Sequence, residues 1–125
     1  MERTVLGKTS SSYSLGIVAP AGRLVFISGT VALDEAGKVM APGDMEGQTR
    51  AIFGQIEQLL REAGATLQNV VKLTAYVTDM SQYGQYAKVR REVFAGGVFP
   101  ASAAVKVAGL IEDGLVVEVE AVAVI

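Results

Sequence analysis

The sequence predicts an α+β domain, one sheet with two helices packed on a single face. Three observations carry it. Strand-like and helix-like stretches follow the order strands, long helix, strand, second helix, two strands. Only two segments show helical periodicity, too few to cover both faces of a sheet of five or six strands. The face left uncovered carries apolar residues (Val70, Tyr76, Ala104, Ala108, Val122 and Val124), which calls for a second copy of the chain against it. At 125 residues, one domain spanning 1–125 is expected.

Composition narrows the chemistry. Half of the residues are apolar, an ordered globular balance. With no Cys, disulfides and thiol nucleophiles are excluded. With no His, a histidine base is excluded, and a zinc site would need carboxylates alone. No metal or cofactor is expected. The net charge of -2 offers no footprint for nucleic acid. Lys88, Arg90 and Arg91 form a short basic cluster, either a solvated helix face or an anion site. Met1-Glu2-Arg3-Thr4 lacks an apolar signal core and no run is long enough to span a membrane, so a cytoplasmic protein without a membrane partner is expected.

The elements follow in order. Arg3 to Leu6 reads as a first strand. Gly7 to Ser14 is turn-like, with Thr9-Ser10-Ser11-Ser12 at its centre. Its Tyr13 is either a packed surface ring or the wall of a ligand site. Ile17-Val18 is a strand, Pro20-Ala21-Gly22 a turn, and Arg23 to Ser28 a β-rich run. Gly29 marks a bulge or a close backbone approach. Asp34 to Lys38 is a loop returning through Val39-Met40.

Asp44 is the expected N-cap of the long helix. Thr49, Ile52, Phe53, Ile56, Leu59, Leu60 and Ala63 share one face, and Glu57 and Arg61 pair on the outer side. Gly64 ends it. Gly47 and Gly54 inside it each cost about 1 kcal/mol of propensity, which close packing on the sheet would explain. Asn69 to Thr78 is the best strand, with Val71, Leu73, Ala75 and Val77 facing one way. Asp79 or Ser81 caps the second helix, whose inner side carries Tyr83, Tyr86, Val89 or Arg90, Val93 and Phe94. Gly96-Gly97 ends it, and Pro100 starts the next strand.

The last strand holds the most informative chemistry. Glu118 and Glu120 share a face of an otherwise apolar ribbon, roughly 7 Å apart. Lys106, in the neighbouring candidate strand, is expected near one of them. A Lys–Glu pair at an oligomer interface is one explanation. The other is a partly desolvated glutamate that activates a water or passes a proton.

The chain resembles the RidA/YjgF/UK114 family, whose older name is endoribonuclease L-PSP. The resemblance rests on Tyr13-Ser14, Leu24 to Gly29, Asn69-Val70-Val71-Lys72, Tyr76 to Met80, Pro100-Ala101, Val105 and Val117-Glu118-Val119-Glu120. It implies a chorismate-mutase-like fold with a mixed sheet, and a homotrimer with small-molecule clefts between subunits. Family enzymes hydrolyse enamines and imines such as 2-iminopropanoate to a 2-oxo acid and ammonia. Tyr13 then falls on the cleft wall, Ser28 and Gly29 on the cleft backbone, and Glu120 on the water-handling glutamate.

Ser102 stands where the family arginine grips the substrate carboxylate, Ala104 at the next cleft position, and Ala87 at a family asparagine. A lost charged hydrogen bond costs about 1.5–3 kcal/mol. The expectation is therefore a member lacking the arginine and not acting on 2-imino acids. Lys106 lies roughly 13 Å along the strand and is a poor substitute, and Arg90 would have to reach in from the second helix. Two functions stay open. One is a hydrolase or deaminase at another C=N or enamine bond using Glu120 and water. The other is a non-catalytic homotrimer holding a metabolite or partner protein in its clefts.

Overall fold

A computed structural model describes residues 3–8 and 12–125. Met1-Glu2 and Thr9-Ser10-Ser11, which entered the leader and turn expectations, lie outside the described residues. Among the described residues six strands and two α-helices form: β1 (Thr4–Leu6), β2 (Gly16–Val18), β3 (Leu24–Thr30), α1 (Met45–Glu62), β4 (Val70–Val77), α2 (Tyr83–Val93), β5 (Ala101–Lys106) and β6 (Val117–Val124). The main sheet has the order β3-β6-β4-β5, with β4 and β5 parallel and the other pairs antiparallel. Both helices cover one face, as the α+β reading expects. The sheet has four strands rather than five or six, because β1 and β2 pair with each other.

Helix α1 begins where its cap predicts. The Asp44 carboxylate accepts from the Gly47 N–H at 3.0 Å. A Cβ on Gly47 would sit 2.4 Å from that carboxylate, so the glycine serves the cap rather than the sheet. Gly54 faces open space, and close packing does not explain it. Asp44→Ala should cost about 1 kcal/mol, read as a lower midpoint in a urea melt. At the other end Gly64 takes a left-handed φ of 75°, which ends the helix. The predicted Glu57–Arg61 pair forms at 3.3 Å on the exposed side.

The core lies between the helices and the sheet. Ile52, Phe53, Ile56 and Leu60 of α1 meet Leu73, Ala75, Val77, Val117, Val119 and Ala121 of β4 and β6. Phe53 also packs edge-on against Phe94 at 5.6 Å and stacks with Tyr86 at 6.2 Å, which fixes α2 against α1.

Three strand expectations are corrected. A register slip between Val70 and Lys72 turns Val70 into the core, so it does not lie on the open face. Val124 keeps the phase of Val122 and pairs with Leu24 on that face, yet it is buried and adds no exposed apolar surface there. Ala104 pairs with the buried Ala75 and therefore sits on the helix side. The open face is instead Leu24 and Phe26 of β3, Tyr76 of β4, Glu118, Glu120 and Val122 of β6, and Val105 of β5. Phe26 is 73 % exposed there.

Candidate functional site

Two clusters hold the candidate residues, one on each side of the sheet. The first forms where α2 meets the edge strand β5. Tyr83, Tyr86 and Arg90 are three and four residues apart and share one side of α2. Because Phe53 locks Tyr86 into the core, Arg90 is carried inward with it, and only 1 % of it is exposed. Opposite stands Ser102, which pairs with the buried Leu73 and so points towards the helix. Tyr13 arrives through its neighbour Ser14. The Ser14 N–H donates to the Pro100 carbonyl at 3.0 Å, and its hydroxyl donates to the Phe99 carbonyl at 2.6 Å.

The result is a caged guanidinium. Arg90 Nη1 donates to Ser102 Oγ at 3.0 Å. Nη2 donates to Ser12 Oγ at 2.7 Å and to the Tyr83 hydroxyl at 3.1 Å. The guanidinium carbon lies 5.2 Å from the ring centroids of Tyr13 and Tyr86 and 5.8 Å from that of Tyr83, within cation–π range. Among the described residues it has no ion pair, and its buried Nε has no hydrogen-bond partner. The Tyr86 hydroxyl is buried beside Arg90 and Ser102, without a well-formed hydrogen bond. Burial pushes this phenol up to about 12 despite the opposing pull of Arg90, so it stays protonated. Next to the cage a cleft of about 290 Å³ is lined by Tyr13, Met80, Tyr83, Arg90, Ser102, Ala103 and Ala104.

These contacts correct the expectation of a member lacking an arginine. Ser102 does occupy the strand position, but a guanidinium reaches it from the helix. The basic cluster splits accordingly. Lys88 pairs with Glu46 at 3.2 Å on the surface, Arg91 is exposed, and Arg90 is buried. The spacing Tyr83, Tyr86, Arg90 was the available signal, since it set Arg90 among inward-facing aromatics. Tyr83 and Ser12 join the site unforeseen.

The second cluster lies on the open face. The Tyr76 hydroxyl donates a hydrogen bond to Glu120 Oε1. That bond, then partial burial, then the charges of Glu120 and Glu118 hold the Tyr76 phenol above its ordinary value. In Glu120→Gln the acceptor is neutral, so the Tyr76 pKa should fall back towards 10, read by an ultraviolet phenolate titration. Glu118 shares this face and lies over the backbone of Gly29, beside Ser28. A Cβ on Gly29 would fall 2.1 Å from Glu118 Oε2, the far end of a flexible side chain, and the register shift between Ile27 and Thr30 fits the bulge reading of this glycine.

The chain thus gathers Tyr13, Ser102 and Ala104 in one cleft, and Ser28 and Gly29 with the two glutamates elsewhere. Glu120 pairs with Thr74 on the face away from Ser102. Lys106 meets neither glutamate. β4 separates its strand from β6, and it pairs with Val77 on the other face. Among the described residues no cluster of acidic side chains is suited to hold a metal, and no helix is long and apolar enough to cross a membrane.

Comparisons with known proteins bear on this geometry. Residues 6–125 match the family described as Endoribonuclease L-PSP. A RutC family protein of Pyrococcus horikoshii is 36 % identical over 116 residues, covering 93 % of this chain and 89 % of that one. A mouse protein named 2-iminobutanoate/2-iminopropanoate deaminase is 33 % identical over 125 residues, covering 98 % and 91 %. The crystal structure of YyfB, a Rid-family protein of unknown function from Yersinia pestis, superposes with a TM-score of 0.90 at 26 % identity over all of both chains. The expectation that set 2-imino acids aside is corrected on two counts. Its premise, a cleft without a guanidinium, fails at Arg90, and a relative covering nearly the whole chain is named for those substrates.

Proposed function

Because the chain belongs to the endoribonuclease L-PSP family, the RidA/YjgF group, we propose that it hydrolyses 2-imino acids to 2-oxo acids and ammonia. The observation that carries this is Arg90, a buried cation with no acidic partner among the described residues. Burying an unpaired charge is costly, and an anionic ligand beside it recovers that cost. The carboxylate of a 2-imino acid is such an anion, and the cleft at Arg90 has room for a small one.

Tyr13 and Ala104 form the wall of the site, and Ser102 lies at its carboxylate end. Glu120 takes a proton from water as the water oxygen bonds to the imine carbon. The carbon–nitrogen bond then breaks, ammonia leaves with protons returned through Glu120, and the 2-oxo acid remains. Tyr76 occupies one oxygen of Glu120, which leaves the other for the water.

Within one chain Glu120 and Arg90 lie on opposite sides of the sheet, so the working cleft is one between subunits. Exposed Leu24, Phe26 and Val105 on the open face favour its burial against further copies. From the family resemblance we propose that this assembly is a homotrimer, in which the neighbour's open face supplies Ser28, Gly29 and Glu120 to the cleft at β5. The test is the rate of 2-iminopropanoate hydrolysis, with the imine generated in situ. Acceleration over buffer by the purified protein supports the proposal, and no acceleration counts against it.

A further inference from the structure

We infer that Arg90 acts on its ligand through the hydroxyls of Tyr83 and Ser102, and that these two groups make the direct contacts with the carboxylate. The inference rests on the proposed carboxylate site and adds which atoms touch the ligand.

It starts from hydrogen-bond bookkeeping. A guanidinium has donors only, so at 3.0 Å from Ser102 Oγ and 3.1 Å from the Tyr83 hydroxyl the oxygens must accept. Each hydroxyl keeps one hydrogen to donate. Among the described residues neither hydroxyl has a well-formed protein acceptor; beside Ser102 stands the buried Tyr86 hydroxyl, whose interaction with it falls short of a well-formed hydrogen bond. Both side chains line the cleft beside Arg90, which itself borders it but is only 1 % exposed.

A hydroxyl that accepts from a cation becomes a better donor, because the charge polarises its O–H bond. Ser102 hangs on Nη1 and Tyr83 on Nη2, one on each prong of the fork. A carboxylate offers two oxygens to such a pair. The positive charge therefore reaches the ligand without leaving its aromatic cage. The arrangement also gives the serine at position 102 a role. A longer side chain there would occupy the space through which Arg90 acts.

Pyruvate, a 2-oxo acid, is the probe, titrated calorimetrically into the full-length protein, Tyr83→Phe and Ser102→Ala. Each variant removes a single oxygen and leaves Arg90 other partners. Thermal melts alongside should show folded proteins. Each should weaken pyruvate binding about tenfold, the effect of one hydrogen bond to a charged group. With 2-iminopropanoate, KM should rise by a similar factor and kcat should change less. Unchanged affinity in both variants, with pyruvate bound by the native protein, would overturn the inference and leave the carboxylate site standing. If pyruvate neither bound the native protein nor slowed imine hydrolysis, the carboxylate site itself would fall, and this inference with it.

Discussion

Glu120→Gln is expected to lower kcat for 2-iminopropanoate by about 10²–10⁴-fold, the usual contribution of a positioned acid–base group. KM should stay within about twofold, because the lost interaction belongs to the transition state. The amide keeps the shape of the carboxylate and can still accept from Tyr76, so the fold has little reason to change. What it loses is a site for the proton released by the attacking water. With no His or Cys in the chain, few other groups can take that role. Kinetics of the purified variant check this. Full activity in Glu120→Gln would move the proton chemistry to another group, Glu118 first, since it lies on the same face beside Gly29.

Arg90→Met should separate binding from stability. Affinity for a carboxylate ligand should fall about tenfold to over a hundredfold, the range for charged hydrogen bonds. The thermal midpoint should hold or rise. Replacing a buried charge by an apolar side chain of similar volume is often neutral or stabilising, and three aromatic rings already surround the space. Opposite movements of affinity and stability mark a group retained for its ligand. Collapse of the fold in Arg90→Met would instead make the guanidinium a structural strut for Ser12, Tyr83 and Ser102.

The elements were legible because their signals are local. Asp44 followed by an apolar stripe marks a helix start, and strict alternation from Val117 to Glu120 marks a strand. The pairing was not local. Ser102 faces α2 because β5 runs parallel to β4 with Ser102 opposite Leu73, and nothing within either strand sets that register. The same pairing separates Lys106 from the glutamates. At Val70 one slipped residue reversed the expected face. Arg90 was obscured by its neighbours, since two solvated cations make the third look solvated. Its phase with Tyr83 and Tyr86 pointed inward, yet a buried arginine becomes plausible only once its hydroxyl and aromatic partners are seen around it. Tyr13 and Glu120 carried no local signal strong enough to stand without the family resemblance. One chain alone also leaves them in separate clusters.

The most direct measurement compares kcat/KM for 2-iminopropanoate with that for its uncharged carboxamide, using the native protein. A cleft organised by the charge of Arg90 should favour the carboxylate by about tenfold or more. Equal rates, or faster hydrolysis of the carboxamide, would contradict a carboxylate site at Arg90.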